Sequence, residues 1–155
     1  MSYNLSPPDI TKKDFLMCVK DLCEEFTDNS KVEFRLSILE NTDASFLKKE
    51  EILNLYRILQ ESITNAVKHS KASEIVLLIR NQNENKEKGL YIFISDDGKG
   101  FDTERVDGKQ HFGLKGMKKR AEIIGVALSV SSEKDYGTQV KIFKPVGHYT
   151  DVWEG

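Results

Sequence analysis

The chain has 155 residues, of which 39% are hydrophobic and 31% charged, and its formal net charge is −2. This is the composition of a soluble globular domain, which can bury roughly 70% of its unfolded surface. The near-neutral charge excludes a broad basic surface for nucleic acid, and no apolar run reaches the ~20 residues that span a bilayer. The two cysteines match no metal-binding or disulfide pattern, which favours a reducing cytoplasm.

The first half of the chain predicts two helices and a strand. Asp9 or Thr11 could cap a first helix that runs to about residue 27, on which Cys18 and Cys23 would point to different faces. Apolar and polar side chains alternate over residues 32–38, as in a half-buried strand. A long helix is then predicted over residues 45–69.

The second half predicts four strands and one helix. Strands are expected at residues 74–80 and 90–95, with a solvated loop at 81–88 between them. A glycine-rich, charged stretch at 97–110 precedes a helix at 114–124, for which Gly125 is a left-handed C-cap. Two more strands, at 128–132 and 138–143, enclose a turn. This order favours an α+β fold, a two-layer α/β sandwich with a mixed sheet.

The long helix has two different faces. Its apolar side chains fall within an arc of about 120°, as expected of a core-packing face. Glu61 and Asn65 lie on the other side, one turn apart, and His69 would continue their row. This face could simply be exposed to solvent. However, an Asn in the middle of a helix is mildly unfavourable, and the glycine motifs downstream could fold against this face.

These polar residues suit phosphate chemistry. The Asn65 amide oxygen could bind magnesium, which prefers hard oxygen ligands, and Glu61 could accept or orient a proton. Lys68 and His69 are placed to neutralise phosphate charge, although His69 could equally be a surface histidine at a helix end.

The glycine motifs supply the other parts of a nucleotide site. Asp96 follows a predicted strand, where its carboxylate could accept a hydrogen bond from the amine of adenine, and Gly98 and Gly100 would allow close approach. A simple acidic turn is the alternative. Thr138 offers a hydroxyl at the start of a strand, where a structural β-turn is equally compatible with the sequence.

A further motif places two glycines at the predicted start of a helix. Gly113 and Gly116 would expose backbone N–H groups there, which commonly bind phosphate, and Lys115 and Arg120 add positive charge. Lys118, Lys119 and Arg120 could also be only the exposed face of that helix.

With these motifs in order, the chain resembles the ATP-binding catalytic domain of bacterial sensor histidine kinases. These kinases share an ATPase superfamily with DNA gyrase, heat-shock chaperones and MutL. Residues 56–70 (YRILQESITNAVKHS) look like their N box, and residues 96–101 (DDGKGF), 112–117 (FGLKGM) and 137–140 (GTQV) like their glycine boxes. The likeness is greatest to kinases that pair with NarL-type response regulators.

The resemblance implies a Bergerat-type ATPase fold in which helices pack on one face of the sheet and ATP lies under a flexible lid at about residues 97–116. It implies Asn65 as the magnesium ligand, Glu61 as the catalytic base and Asp96 as the adenine reader. Leu114 and Met117 would join the ATP-binding residues as members of the second glycine box.

The resemblance also implies a partner. Kinases of this type phosphorylate a histidine on a preceding helical dimerisation domain, and none of His69, His111 and His148 lies in such a motif. We therefore expect residues 1–10 to be the end of that domain or a linker, 11–146 the catalytic domain and 147–155 a C-terminal tail. The catalytic domain would not autophosphorylate alone, and a response regulator would act downstream. The family usually has Gly-Gly after the lid helix, whereas this chain has Gly125-Val126. We expect this difference to change side-chain packing and not chemistry.

Two other functions share parts of this pattern. A stand-alone protein-serine kinase of the anti-sigma-factor type has the same superfamily and size, but its second glycine box differs from GLKGM. A module that binds nucleotide without chemistry is disfavoured because both Glu61 and Asn65 are present.

Overall fold

The computed structural model describes residues 14–101 and 108–147, and for residues 108–112 only the backbone. Its helices are α1 (Phe15–Asn29), α2 (Lys49–Thr64), which continues into a π turn (Asn65–His69), and α3 (Gly108–Ile123). Its strands are β1 (Glu33–Ile38), β2 (Glu74–Glu84), β3 (Glu87–Asp96), β4 (Ala127–Ser132) and β5 (Thr138–Pro145).

The five strands form one mixed sheet in the order β1-β2-β3-β5-β4. β1 and β2 are parallel, because α2 crosses over between them, and the other neighbouring pairs are antiparallel. This confirms the mixed sheet and the α+β class. No helix in the described part of the chain combines the length and the apolar character needed to cross a bilayer.

The core lies between the helices and one face of the sheet. Leu55, Leu59 and Ile63 of α2 are fully buried, as the predicted apolar arc requires, and Ile79 and Ile92 face the helices from the sheet. Burying each such side chain contributes about 1.5–3 kcal/mol. The two-layer sandwich predicted from the sequence is therefore confirmed.

The first helix starts later than predicted. The Asp14 carboxylate caps it by accepting a hydrogen bond from the Met17 N–H at 2.9 Å, whereas Asp9 and Thr11 lie outside the described residues. Cys18 and Cys23, predicted to point to different faces of this helix, are both buried. Because α1 packs against both α2 and β1, its buried arc is wide enough to include them, and burial raises the pKa of Cys23 to about 12.

The helix predicted over residues 45–69 differs from the structure at both ends. It starts later than predicted, and its last turn is not α-helical. α2 begins at Lys49, because the Lys48 N–H donates to the Glu51 carboxylate at 2.9 Å and so fixes the first turn. At the other end the α-helix gives way to the π turn, which no sequence pattern had indicated.

The predicted loop at residues 81–88 is mostly strand. β2 and β3 extend to Glu84 and Glu87, and a two-residue turn of Asn85 and Lys86 joins them with φ angles of 51° and 68°. Positive φ at both turn residues matches the twist of paired strands. The polar composition misled the prediction, since this end of the hairpin is largely exposed and needs few apolar side chains.

The third helix begins at Gly108, six residues before its predicted start, so Gly113 and Gly116 lie inside it and not at its N-terminus. A glycine inside a helix costs only about 1 kcal/mol, which the surrounding helical residues offset. The predicted end is confirmed, since Gly125 has a φ of 64°. The last two strands are also confirmed, with β5 extending to Pro145.

Candidate nucleotide-binding site

A pocket lies between α2, the π turn, α3 and the ends of β3, β4 and β5, and we call it the base pocket. Its polar lining consists of Ser62, Asn65, Ser70, Asp96 and Thr138. Its apolar walls are Ile94, Phe101, Leu114, Met117, Val130 and Val140. A concave, mostly apolar pocket with a few convergent polar groups is the usual form of a small-molecule site.

The base pocket is nearly closed in this structure. The space that the centre of a water molecule can occupy in it is about 10 Å³, about enough for one water. Leu114 and Met117 of α3 form part of its wall, so these two side chains restrict the space for a planar base. A larger groove of about 530 Å³ lies at the other end of β2 and β3, and no predicted site residue lines it.

Asp96 is the charged residue of the base pocket. Its Oδ1 accepts a hydrogen bond from the Gly98 N–H at 2.8 Å, and the Thr138 N–H donates to the same carboxylate. Burial raises the pKa of Asp96, an effect opposed by these two hydrogen bonds and reinforced by the nearby charge of Asp97. The carboxylate is thus held in place and retains acceptor capacity toward the pocket.

The turn after β3 is fixed by close backbone contacts. A side chain at Gly98 would clash with Ser70, whose carbonyl accepts from the Lys99 N–H at 2.7 Å, and Gly100 has a φ of 62°. Asp97 points away from the pocket, and its carboxylate accepts from the backbone N–H groups of Ser73 and Glu74 at 2.8 and 3.0 Å. These contacts tie the turn to the start of β2 and so position Asp96.

Asn65 sits at the junction of α2 and the π turn. Its backbone carbonyl accepts from the Ser70 N–H at 2.9 Å, an i→i+5 bond that widens the helix at this point. Its side-chain Oδ1 is buried and has no hydrogen-bond partner among the described residues. Buried polar atoms without partners are rare in proteins, and π turns are frequent at functional sites.

Glu61 does not line the base pocket but a neighbouring groove between α2 and α3. Gly113 faces it so closely that a side chain there would collide with the Glu61 carboxylate. Gly116 lines the same groove, and Met117 forms a wall shared with the base pocket. The two helices therefore place Glu61, the predicted catalytic base, next to the predicted nucleotide site. The side chain of Met117 lies between the two cavities.

Five predicted residues lie outside the lining of both cavities: Gly98 and Gly100, which shape the turn after β3, and three residues with long side chains. Lys68 and Lys115 are exposed, and His69 is half-buried. The π turn explains why His69 does not line either cavity. Its wider turn begins at Asn65, so the i,i+4 row of Glu61 and Asn65 does not continue to His69. Their contacts with phosphate remain predictions.

Several other residues that line the two cavities were not predicted from the sequence. Ser62 and Ser70 lie in the N box, and only their neighbours were singled out, while Phe101 ends the first glycine box. The spacing of Ser62, three residues before Asn65, could have placed it on the same face. Arg57, which lines the groove, carried no signal beyond its place in the N box.

This geometry agrees with comparisons to known proteins. Residues 50–148 match the family described as histidine kinase-, DNA gyrase B- and HSP90-like ATPases, so the chain belongs to this family. As a member it carries an ATP-binding domain of that ATPase family.

Two relatives from Bacillus subtilis (strain 168) cover most of the chain. The chain is 30% identical to the sensor histidine kinase LiaS over 92% of the chain's own residues. It is 31% identical to the histidine-protein kinase/phosphatase DegS over 76% of its own residues. It spans 37% and 30% of those two proteins.

A solved structure supports the fold. The histidine kinase domain from the Erythrobacter litoralis EL346 blue-light activated histidine kinase superposes with a TM-score of 0.63 at 18% identity. The superposition covers 85% of this chain and 60% of that one.

Proposed function

We propose that residues 11–146 are the catalytic domain of a two-component sensor histidine kinase, which transfers the γ-phosphoryl group of Mg-ATP to a histidine on a separate dimerisation domain. Residues 1–10 would end that domain or link to it, and residues 147–155 would be a tail. A cytoplasmic location and a NarL-type response regulator belong to the same proposal. Its support is the family and the two sensor kinases that resemble the chain.

The observation that carries this proposal is the buried Oδ1 of Asn65, which has no hydrogen-bond partner within the described part of the chain. Leaving such an acceptor unpaired costs about 1–3 kcal/mol, so a ligand that meets it would explain its position. An amide oxygen is a hard ligand, and Mg²⁺ commonly takes one or two protein oxygens together with phosphates and waters. Asn65 therefore fits a magnesium ligand in the nucleotide site.

The other residues divide the remaining tasks. Asp96 would accept a hydrogen bond from the exocyclic amine of adenine, while the apolar walls cover the faces of the base. A nitrogen of the acceptor imidazole forms a bond to the γ-phosphorus, and the bond from that phosphorus to the β,γ-bridging oxygen breaks, which releases ADP. Glu61 would take the proton that the imidazole gives up. Bound magnesium would offset the negative charge of the phosphates.

We expect Asn65→Ala to remove the magnesium-dependent part of nucleotide affinity. Calorimetric titration with ATP, once with Mg²⁺ and once with EDTA, should give a clear difference in Kd for the unchanged chain and little difference for the variant. The free energy of unfolding should stay the same or increase, because the substitution removes a buried unpaired acceptor.

Asn83→Ala, an exposed asparagine on β2, is the matched control and should change neither quantity. A loss of stability in Asn65→Ala with unchanged magnesium dependence would show that Asn65 is only structural.

We expect Asp96→Asn to abolish ATP binding and to make the fold more stable at neutral pH. The asparagine Oδ1 can still accept from the Gly98 N–H, but its amide group then faces the adenine amine with a second donor. Because burial raises the pKa of Asp96, its contribution to stability is present at low pH and is lost as pH rises through the raised value. The variant lacks this titration.

Urea denaturation at several pH values between 4 and 8 measures this effect. The stability of Asp96→Asn relative to the unchanged chain should increase with pH and level off above the raised pKa. The unchanged chain should also prefer ATP to GTP, because guanine has a carbonyl where adenine has its amine. Near-normal ATP affinity in the variant would contradict the role of Asp96.

Nucleotide is expected to slow backbone hydrogen exchange over residues 102–116. Leu114 and Met117 line the nearly closed base pocket, so we expect α3 to shift when ATP enters and then to pack against the nucleotide. Exchange measured with and without Mg-ATP should differ in this segment and remain equal in the core strand β3. Equal exchange in both states would exclude a lid in this segment.

The anti-sigma-type serine kinase is the less favoured function. The relatives reported above are histidine kinases, and phosphotransfer to a supplied histidine domain, compared with a sigma-factor antagonist, would separate the two.

A further inference from the structure

A second groove, which we call the hairpin groove, lies at the end of β2 and β3 that is remote from the base pocket. It is open to solvent and has a volume of about 530 Å³, within the usual range of ligand sites. The lining residues that matter here are Asp43, Phe46, Lys88 and Val146. None of them lines the base pocket or the groove beside Glu61, so nucleotide binding does not account for this feature.

The two sides of the hairpin groove are joined by Asn81. Its Oδ1 accepts a hydrogen bond from the Asp43 N–H at 2.7 Å, and its Nδ2 donates to the Asp43 carbonyl at 2.9 Å. Two bonds between the same pair of residues fix the segment before α2 against β2. The groove is therefore preformed, and an occupant has no need to open it.

The surface of the hairpin groove combines apolar and charged groups. Val146 is 48% exposed and Phe46 is half-buried, so covering them is favourable. The Asp43 Oδ1 accepts from the Ser45 N–H at 2.9 Å, whereas the Asp43 Oδ2 has no partner in the described part of the chain. Lys88 is exposed, and no described carboxylate pairs with it.

The chain continues directly from this groove. The Val146 N–H donates to the Lys88 carbonyl at 2.8 Å, and the backbone bends at Val146 and Gly147, where the described residues end. The sequence that follows, residues 148–155, is HYTDVWEG, and it places the only tryptophan of the chain, Trp153, seven residues after Val146. Seven extended residues span at most about 25 Å, so the chain needs only to reverse direction for Trp153 to reach the groove.

We propose that residues 148–155 fold back into the hairpin groove and that the indole of Trp153 packs against Phe46 and Val146. Burial of a tryptophan removes about 150–250 Å² of surface from water, but its N–H then needs an acceptor. The Oδ2 of Asp43 is such an acceptor, and it lies on the wall of the same groove.

The charges and the tether of this segment also fit the groove. Asp151 and Glu154 lie close to Trp153 in the sequence and bring carboxylates toward Lys88. A surface ion pair contributes little affinity, but opposite charges help to fix the register of a docked segment. The tether to Val146 gives the segment an effective concentration of the order of mM. This segment therefore has an advantage over any separate molecule as the occupant of the groove.

The fluorescence of Trp153 tests this proposal without nucleotide or phosphotransfer, so the result is independent of the proposed function. We expect the folded chain to emit at shorter wavelength than the chain unfolded in urea, and acrylamide to quench this emission severalfold less. Lys88→Glu repels the acidic segment, and Val146→Asp removes an apolar contact. Each variant should shift the emission toward that of the unfolded chain.

Lys141→Glu is the matched control, since Lys141 is exposed on β5 outside the groove lining and undergoes the same change of charge as Lys88→Glu. It should leave the emission unchanged. A shift in either groove variant that exceeds the shift in the control supports the proposal. Thermal unfolding identifies any misfolded variant, and the two lysines are both exposed.

Three results would overturn the proposal. The first is an emission of the folded chain that equals that of the unfolded chain. The second is an equal response of both groove variants and the control, which would place Trp153 elsewhere. The third is an emission that changes to the unfolded value on dilution, which would show that Trp153 packs on a second copy of the chain.

Discussion

Glu61→Gln is expected to slow phosphotransfer to an added histidine domain by ~10²–10⁴-fold, the usual effect of removing a general base. The affinity for Mg-ATP should stay nearly unchanged, because Glu61 lies in the groove and not in the lining of the base pocket. Glutamine has the same shape, so the close contact with Gly113 is preserved while the proton acceptor is lost.

Single-turnover phosphotransfer and calorimetric titration together check this division of roles. Glu50→Gln, an exposed glutamate in the first turn of the same helix, is the matched control and should leave both quantities unchanged. If Glu61→Gln lowered ATP affinity in proportion to the rate, Glu61 would be a binding residue and its assignment as the base would be wrong.

Lys144→Met is expected to lower the free energy of unfolding by about 3–5 kcal/mol, the usual cost of breaking a buried ion pair. The Lys144 Nζ lies 2.9 Å from the Glu51 Oε2, and the two side chains are only 1% and 3% exposed. Their pair joins β5 to the first turn of α2. Without the lysine the Glu51 carboxylate stays buried next to an apolar chain. A domain is typically stable by only 5–15 kcal/mol, so this loss would be large.

Urea denaturation measures this effect as a lower midpoint at an unchanged slope. Lys141→Met, three residues earlier on the exposed side of β5, should change stability by no more than about 0.5 kcal/mol. Combining Lys144→Met with Glu51→Gln should recover most of the loss, because glutamine removes the buried charge and can still accept from the Lys48 N–H. An equal loss in the single and double variants would show that packing, and not charge, is responsible.

Much of the fold could be predicted because its signals are local. The apolar arc of α2 and the alternation in β1 appear in short windows of sequence, and the structure confirms them. The least accurate predictions were the ends of elements. Residues 81–88 look like a loop by composition, yet pairing across the Asn85-Lys86 turn makes them strands.

The candidate site was predictable in its membership but not in its geometry. The ordered motifs indicated Asn65, Asp96 and Thr138, and these residues share one pocket. The assignment of Glu61 to a separate groove depends on how α3 crosses α2, which no single segment encodes. The start of α3 was predicted too late because Gly113 and Gly116 suggested a helix N-terminus, whereas the helix runs through both glycines.

The sequence by itself determined the family of this chain, since four short motifs in a fixed order already indicate an ATP-binding domain. The tertiary structure alone decided that β5 lies between β3 and β4, that Lys144 pairs with Glu51, and that the Asn65 oxygen is buried without a partner among the described residues. The physical reason is that burial and pairing depend on contacts between segments far apart in the chain. A local pattern can show that a side chain is polar, but only the packed fold determines which polar groups lose their water and what replaces it.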